Sequence, residues 1–457
     1  MPRQTIDTLI ILGAGGDLTH RLLLPGLGSL LASSRGRALR LVGVDRDART
    51  DAQWRSIVRK ALAGTPSRVG DEVIATTTYA RADATSAEDL ARVLGEATGR
   101  VALYFALPPA VAVRTVDALA TITLPKGIVL ALEKPFGTDG PSAAALNRRL
   151  QTLVPEEQVF RVDHFLGKST VLNLLGLRFA NRVFEPLFSS ENVERVEIVW
   201  DEDLALEGRA GYYDRAGALV DMIQSHLLLV LALAAMEPPS SVGSEDLRGA
   251  MAQVLRATRP WKKDGTASRR ARYGAGRIGR RDVPSYVKEE GVDPKLGTET
   301  LAELDLAVDT WRWAGVPFTL RSGKALGRRR QELVVTLKPV PHLPHGFTGP
   351  SHPARIRIGF SPATLDFDVV TNGHGDPFDL EWDRLSAEFR ASELTAYGEV
   401  LAELMEGDPT LSVRGDVAEE CWRIIAPVLA AWRKDRVPME TYPAGSTGPA
   451  KWATSRD

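Results

Sequence analysis

The sequence has little that could cross-link it or attach it to a polyanion. Its 457 residues contain a single cysteine, Cys421, which excludes an intrachain disulfide and a cysteine-based metal cluster. Such cysteine usage fits a reducing cytosol, so we expect a cytoplasmic protein. Lys and Arg number 57 against 58 Asp and Glu, and this balance offers no excess of positive charge for nucleic-acid binding. We therefore predict no nucleic-acid partner.

Long hydrophobic runs are also lacking. The longest apolar stretch covers residues 227–236, about half of the roughly 20 residues that a membrane-spanning helix needs. The apolar run near the N-terminus is short and ends in glycines, which is typical of a buried strand rather than of a signal peptide. We expect a core helix at 227–236 and no membrane association. The seven histidines are scattered without convincing ligand spacing, so no metal site is predicted.

The first third of the chain alternates between predicted strands and helices. Buried-strand patterns lie at residues 8–12, 39–44, 101–107 and 127–132. Helical patterns follow the first strand up to residue 30 and cover residues 51–62. Strands that alternate with helices indicate βαβ units and a parallel sheet, which is an α/β arrangement.

Beyond residue 165 the pattern changes, so we divide the chain into domains 1–165 and 166–457. Residues 193–200 alternate between polar and apolar, as a half-buried strand does. Further strands are predicted at 333–337, 354–358 and 365–370, and helices at 169–181, 216–236, 386–405 and 416–432. Strands in series with turns between them indicate a mostly antiparallel sheet. The second domain is therefore predicted to be α+β.

A glycine-rich segment follows the first predicted strand and precedes a helix. Glycines at such a turn let the backbone approach a pyrophosphate, which then rests on the helix N-terminus. The candidate cofactor-binding residues are Gly13, Gly15, Gly16, Asp17 and Leu18. The spacing departs from the strict Gly-x-Gly-x-x-Gly fingerprint, so a plain tight turn stays open as an alternative.

The second predicted strand is followed by Asp45 and Arg46. An acidic residue there can accept a hydrogen bond from the ribose 2′-hydroxyl of NAD, and an arginine can hold the 2′-phosphate of NADP. The sequence carries both side by side, and both could instead face solvent. Because Arg46 can pair directly with the extra phosphate, we expect NADP, with NAD as the alternative cofactor.

Four further blocks carry a resemblance to a known family. In one-letter code they are EKPFG at 133–137, RVDHFLGK at 161–168, GYYD at 211–214 with DMIQSHLL at 221–228, and RWAGVPF at 312–318 with RSGK at 321–324. In this order and spacing the chain resembles the glucose-6-phosphate dehydrogenases, from the glycine loop almost to its end. The resemblance implies a Rossmann-like domain followed by an α+β domain whose large antiparallel sheet forms a dimer interface. A homodimer or homotetramer is expected accordingly.

The resemblance also implies a catalytic pair. His226 occupies the position of the family's catalytic histidine, and an unperturbed histidine, with a pKa of about 6.5, accepts a proton at neutral pH. Asp163 matches the aspartate that orients this histidine and stabilises its protonated form. From the residues alone, His226 could be a packed core residue and Asp163 a structural salt bridge or a cap.

Three residues match family contacts at the phosphate end of the substrate. His164 and Lys168 correspond to residues that bind the phosphate, and a lysine beside a histidine suits a dianionic cluster of oxygens. Lys134 matches a lysine that lies between cofactor and substrate, followed by a proline that is often cis. Without the family, Lys134 reads as a surface lysine after a strand.

Three more match contacts to the sugar. Glu202 and Asp221 correspond to carboxylates that hydrogen-bond sugar hydroxyls, and Lys324 to a substrate-contacting lysine. Glu202 lies in an acidic run, 201–203, and such runs are usually solvated. For Glu202, a surface role therefore stays open.

Two positions depart from the family pattern. Leu22 stands where many members have a lysine that reaches the substrate, and Phe165 where many have a tyrosine whose hydroxyl touches the phosphate. One lost hydrogen bond to a charged group costs about 1.5–3 kcal/mol, which weakens binding roughly ten- to a hundredfold. We expect intact chemistry, with substrate affinity altered.

The chain is therefore predicted to be an NAD(P)-dependent dehydrogenase that oxidises D-glucose 6-phosphate to 6-phospho-D-glucono-1,5-lactone, the first oxidative step of the pentose phosphate pathway. Two alternatives stay open. One is a dehydrogenase of the same family that acts on another phosphosugar or a free sugar, and the other is a non-catalytic, nucleotide-binding regulatory paralogue.

Overall fold

The computed structural model describes residues 5–208, 210–390 and 392–455, without the side chains of residues 453–455. The chain divides into two compact units. The first consists of the segments Met1–Leu172, Pro239–Ala250 and Ser392–Glu420. The second consists of Asn173–Pro238, Met251–Ala391 and Cys421–Asp457.

The first unit is built on a six-stranded parallel sheet. Its strands are β1 Thr8–Leu12, β2 Arg40–Asp45, β3 Thr78–Arg81, β4 Val101–Phe105, β5 Val129–Glu133 and β6 Val159–Val162. Their order is β3-β2-β1-β4-β5-β6, and each neighbouring pair is parallel. This order is that of a dinucleotide-binding Rossmann sheet, in which ligands bind at the carboxyl ends of the strands. The predicted α/β parallel sheet is confirmed.

Alternate residues of β1 show why the central strands are continuous apolar runs. Leu9 and Ile11 pack in one hydrophobic cluster, and Ile10 and Leu12 in another. Successive side chains of a strand point to opposite faces, so both faces of the sheet are covered. The central strands thus contribute to two core layers at once.

Helices connect these strands. They are Leu24–Ala32, Asp51–Leu62, Arg68–Thr76, Ala87–Gly95, Pro109–Leu119 and Gly140–Leu153, with Ala396–Glu406 from a later segment and a π-helical turn at Thr19–Leu23. The predicted helix 51–62 is confirmed, and a capping box of Thr50 and Gln53 begins it. Its buried residues, Trp54, Val58 and Leu62, are spaced by four and form one apolar face.

The second unit is built on a ten-stranded sheet. Its strands are β7 Val193–Asp201, β8 Thr258–Pro260, β9 Ser268–Gly274, β12 Leu301–Val308, β13 Pro317–Gly323, β14 Arg330–Leu337, β15 Arg355–Gly359, β16 Thr364–Asn372, β17 Leu380–Glu388 and β18 Met439–Pro443, while β10 Gly276–Ile278 and β11 Arg281–Val283 form a separate hairpin. The order is β17-β16-β15-β14-β7-β13-β12-β9-β18, with β8 beside β12. Two pairs are parallel, β7 with β13 and β9 with β18. The prediction of a mostly antiparallel sheet is confirmed.

One long apolar helical segment belongs to the second unit. It comprises Ala210–Ala218, a π-helical stretch at Leu219–Leu227 and Leu228–Ala235. The segment 210–235 is long and apolar enough to cross a membrane, but 83% of its most apolar window is buried in the protein. It therefore has the burial of a core helix, as expected from the sequence. Three further helices, Ser169–Phe179, Ser244–Ala257 and Gly415–Arg433, include chain positions where the segments of the two units meet.

The prediction of a helix over residues 386–405 is wrong in its first half. Residues up to Glu388 belong to β17, which pairs with β16 from Asn372↔Leu380 to Thr364↔Glu388. Polar residues pair across these strands, since Arg384 Nε donates to Asp368 Oδ1 at 2.6 Å. The helix begins only at Ala396, where the Thr395 hydroxyl caps it.

Candidate active site

The glycine loop brings backbone unusually close to a neighbouring strand of the first unit. Gly13 has φ +88°, and a Cβ placed on it would lie 2.2 Å from the carbonyl oxygen of Ala106. Its N–H and that of Ala14 both donate to the Val44 carbonyl, at 2.9 and 3.0 Å. Only glycine fits this turn, which leaves open the kind of backbone approach that a pyrophosphate requires.

A cavity of about 280 Å³ opens beside this loop. It is lined by the predicted cofactor residues Gly13, Gly16, Asp45 and Arg46, and also by Asp83, Thr85, Val111 and Arg114. Asp45 accepts a hydrogen bond from Gly15 N, so Gly15 borders the same place. A glycine cradle and a cavity at the carboxyl ends of β1 and β2 fit a dinucleotide.

Two other predicted cofactor residues belong to the start of the following helix. Asp17 is exposed and pairs with Arg21 at 3.3 Å. Leu18 packs against the hydrophobic core. Leu22, the residue that replaces the expected lysine, is 47% exposed. A surface aspartate and a packed leucine fit roles in the helix start better than roles in the cavity.

The turn after β5 carries Lys134, and the Lys134–Pro135 bond is cis. The preceding Glu133 accepts a hydrogen bond from Tyr104 Oη at 2.5 Å and is also bonded by Tyr397. Burial raises the pKa of Glu133 to about 7, against the lowering effect of these bonds and of Lys134. Sequence reasoning missed Glu133, Tyr104 and Tyr397, because tyrosines distant in sequence give no local signal.

Asp163 follows β6 and is 1% exposed. Its Oδ1 accepts a hydrogen bond from Phe165 N at 2.8 Å. Burial raises the pKa of Asp163, and the charges of His164, Lys134 and Lys168 oppose this rise. The structure thus brings together, within the first unit, four of the predicted residues.

Aromatic rings hold the cations of this cluster. The His164 ring stacks on Tyr397 with centroids 5.7 Å apart and 12° between planes. Lys168 Nζ lies 4.4 Å from the centre of the Phe165 ring, within cation–π range. Phe165 therefore supports Lys168 even though it lacks a hydroxyl. Two cations and a histidine held in this way provide a positive site of the kind that a phosphate needs.

Arg161, two residues before Asp163, anchors this part of the chain. It is fully buried, and its guanidinium donates to Asn147 Oδ1 at 3.0 Å and to Glu156 Oε1 at 2.8 Å. Its backbone N–H donates to Ser412 Oγ at 2.9 Å. This network of polar bonds sets the position from which Asp163 extends.

In the second unit, Glu202 and Lys324 meet at the ends of two parallel strands. β7 and β13 run side by side up to Asp201 and Gly323, so the next residue of each lies at the same edge. Lys324 Nζ donates to Glu202 Oε2 at 2.5 Å and lies 5.1 Å from the Tyr213 ring centre. Two residues that are 122 positions apart therefore form one polar pair.

Asp221 and His226 share the π-helical stretch Leu219–Leu227. Five residues in an α-helix rotate the side chain about 140° off the starting face, whereas the i→i+5 bonding of a π-helix brings the two positions to one face. Glu299 Oε1 accepts a hydrogen bond from Leu219 N at 2.9 Å where this stretch begins. Burial raises the pKa of Glu299 to about 7. His226 itself is 1% exposed.

The predicted residues therefore form groups inside each unit. The first unit holds Lys134, Asp163, His164 and Lys168, and the second holds Glu202 with Lys324 and Asp221 with His226. Asp163 and His226 belong to different units, so their pairing stays a prediction.

Comparison with known proteins identifies the family. Residues 10–173 match the family model described as "Glucose-6-phosphate dehydrogenase, NAD binding domain", and residues 175–455 match "Glucose-6-phosphate dehydrogenase, C-terminal domain". The chain belongs to the glucose-6-phosphate dehydrogenase family. The resemblance found in the sequence motifs is thereby confirmed, together with an NAD(P)-dependent oxidoreductase as the class of enzyme.

Relatives of the family match over nearly the whole chain. The glucose-6-phosphate 1-dehydrogenase of Mycolicibacterium smegmatis is 38% identical, covering 97% of this chain and 94% of its own. That of Treponema pallidum is 36% identical, covering 96% and 92%. Among solved structures, the Mycobacterium avium enzyme is 32% identical with a TM-score of 0.86 over 98% of this chain and 96% of its own. A glucose-6-phosphate dehydrogenase in complex with its substrate glucose-6-phosphate is 26% identical with a TM-score of 0.88, over 99% and 97%.

Proposed function

We propose that this chain oxidises D-glucose 6-phosphate to 6-phospho-D-glucono-1,5-lactone with reduction of NAD(P). The observation that carries the proposal is the cationic cluster of Lys134, His164 and Lys168 around the buried Asp163 carboxylate. It occurs in a chain whose match to the family extends over both domains.

His226 is proposed to act as the general base. Oxidation at C1 requires that the C1 hydroxyl lose a proton as the carbonyl of the lactone forms, and a positioned histidine accelerates such a transfer about 10²–10⁴-fold. Asp163 is proposed to orient His226 and to stabilise the imidazolium, as the aspartate of a triad does. The buried state of both residues favours a fixed orientation.

The remaining polar residues are proposed to hold the sugar. His164 and Lys168 would bind the 6-phosphate, since both carry or can carry positive charge beside aromatic rings that fix them. Glu202, Asp221 and Lys324 would bind the hydroxyls, with Lys324 holding the Glu202 carboxylate in place. Correct placement of the reacting atoms can itself supply much of the rate.

Gly13, Gly15, Gly16, Asp45 and Arg46 would hold the dinucleotide, and Lys134 would lie between it and the sugar. The cradle at Gly13, which a Cβ would fill, supports this assignment. Bound NAD(P) supplies the acceptor for the hydride that leaves C1. These residues of the chain orient the cofactor and leave the proton to His226.

The test is the initial rate of NADP and NAD reduction with saturating glucose 6-phosphate. We expect turnover by the wild type, and a loss of at least 100-fold in kcat for His226→Asn with cofactor binding retained. His342→Asn, at an exposed histidine, is the matched control. A His226→Asn enzyme as fast as the wild type would exclude the base assignment, and no turnover by the wild type with either cofactor would reject the function.

Another sugar substrate is the second candidate, favoured by the missing hydroxyl at Phe165 and by Leu22. A panel of phosphosugars and free sugars ranks kcat/KM under the same conditions. Glucose 6-phosphate in first place removes this candidate.

We also propose a cytoplasmic homodimer or homotetramer. The edge strand β17 supports an interface at this end of the large sheet, because Trp382 is 37% and Leu385 61% exposed there.

A further inference from the structure

The carboxylate at the end of β2 is fixed before any ligand binds. Asp45 Oδ2 accepts a hydrogen bond from Gly15 N, and Oδ1 accepts one from Arg46 N, both at 2.8 Å. A carboxylate offers about four lone-pair sites, so each oxygen can still accept from a hydroxyl. Since Asp45 also lines the cavity beside the glycine loop, it presents a preorganised acceptor there.

The arginines nearest to this carboxylate have acidic neighbours of their own. Hydrogen bonds from Thr85, and after them the charge of Arg46, lower the pKa of Asp83, which lines the same cavity. Arg49 Nη2 lies 3.7 Å from Asp47 Oδ2. Asp45, by contrast, is bonded to two neutral N–H groups. Its negative charge is therefore the one that a ligand at this strand end meets directly.

Space at the loop is limited as well. A Cβ placed on Gly15 would lie 2.7 Å from Arg49 Nη1 and 2.9 Å from Asp45 Oδ2. These two side chains thus fill the volume over Gly15. A ribose hydroxyl is a single small donor, whereas a phosphate brings three oxygens and negative charge.

We propose that Asp45 makes this chain select NAD over NADP. The inference rests on the proposed dehydrogenase function and deepens it by naming the cofactor. Ribose hydroxyls of NAD donate to the fixed carboxylate, whereas the 2′-phosphate of NADP meets like charge at short range, which is repulsive. This reverses the expectation from sequence, in which Arg46 favoured NADP.

The test is titration calorimetry with NAD⁺ and with NADP⁺, in the absence of sugar, on the wild type and Asp45→Asn. Asparagine keeps the size of the side chain and one acceptor oxygen but removes the charge. We expect the wild type to bind NAD⁺ at least tenfold more tightly, and the ratio of the two Kd values to shift at least tenfold toward NADP⁺ in the variant. Equal or tighter NADP⁺ binding by the wild type, or a smaller shift in the variant, overturns the inference.

Two further variants and one readout keep this test decisive. Asp71→Asn makes the same charge change on an exposed helix position and should leave the Kd ratio unchanged. Asp45→Ser removes the carboxylate without an amide against Gly15, and serves if Asp45→Asn does not fold. Because binding is measured without sugar, a wild type that prefers NAD⁺ but turns over no glucose 6-phosphate rejects the proposed function and retains this inference. Turnover with a preference for NADP⁺ does the opposite.

Discussion

Lys324 donates a hydrogen bond of 2.5 Å to Glu202 from the adjoining end of a parallel strand. The lysine side chain is 9% exposed and the glutamate 23%, so each charge depends on the other for compensation. The geometry links a sugar-binding hypothesis for Glu202 to a lysine that also packs against Tyr213.

We expect Lys324→Met to lower both stability and substrate affinity. Loss of a hydrogen bond to a charged group costs about 1.5–3 kcal/mol in the free energy of unfolding, which urea denaturation measures. The KM for glucose 6-phosphate should rise at least tenfold as the Glu202 carboxylate loses its fixed position. Lys288→Met, at an exposed lysine, is the control. An unchanged KM would assign the pair to structure alone.

Phe165→Tyr should restore a contact to phosphate. The Phe165 ring already lies under Lys168 in the cationic cluster, so a hydroxyl there would face the same charges. We expect the KM for glucose 6-phosphate to fall roughly tenfold, as one hydrogen bond to a charged group would give. The KM for unphosphorylated glucose is the internal control and should not move. Equal effects on both sugars would contradict the phosphate assignment.

Glu299 should make stability depend on pH. Burial raises its pKa from 4.5 to about 7, so the folded protein holds a proton that the unfolded chain has already lost. Its stabilising contribution is therefore complete below pH 4.5 and is lost as the pH rises through about 7. A shift of this size corresponds to at most about 3 kcal/mol.

Urea denaturation of the wild type and Glu299→Gln at pH 5 and pH 8 measures this contribution. From pH 5 to pH 8 the wild type should lose about 1–3 kcal/mol more of its unfolding free energy than the variant does. Glu290→Gln, at an exposed position, should follow the wild type. Parallel pH profiles for the wild type and Glu299→Gln would show that Glu299 titrates normally.

Leu385→Lys should break the proposed oligomer. A lysine on the exposed face of β17 would place a charge in an apolar interface, and edge strands are commonly protected from association in this way. Light scattering coupled to size exclusion should show a smaller mass than for the wild type. Val242→Lys, at a residue 68% exposed, should leave the mass unchanged. If Leu385→Lys keeps the wild-type mass, the interface lies elsewhere.

The first sheet could be predicted well because its physics is local. Strands such as Thr8–Leu12 are buried on both faces and therefore read as continuous apolar runs. The helix Asp51–Leu62 was equally clear, since its buried residues recur at four-residue spacing behind a capping box. The strand–glycine–helix order then placed Gly13 and Gly16 at the cavity.

Strands with paired charges escaped prediction. Pro317–Gly323 contains Arg321, whose guanidinium binds Asp201 at 3.0 Å on the neighbouring strand, so its polar positions are compensated only by the folded sheet. Residues 380–388 gave a helical expectation for a similar reason, because Arg384 is satisfied by Asp368 across the pair. Partners distant in sequence leave no mark on local periodicity.

The site was predicted by residue but not by arrangement. His226 and Asp221 were identified through a motif, while the π-helical register that relates them does not follow from a 3.6-residue period. The ion pair of Glu202 with Lys324 requires that β7 and β13 be parallel neighbours, which is a property of the whole sheet.

The anchoring of Arg161 bears on how genetic variation in this protein should be interpreted. Ser412 lies 251 positions from Arg161, yet its hydroxyl accepts the bond from the Arg161 backbone at 2.9 Å. Asn147 and Glu156 bind the guanidinium of the same residue. Substitutions at these three positions would score as loss of activity in a selection for growth, although none of the three is assigned to sugar or cofactor. Suppressors of such alleles should map back to the segment that carries Asp163.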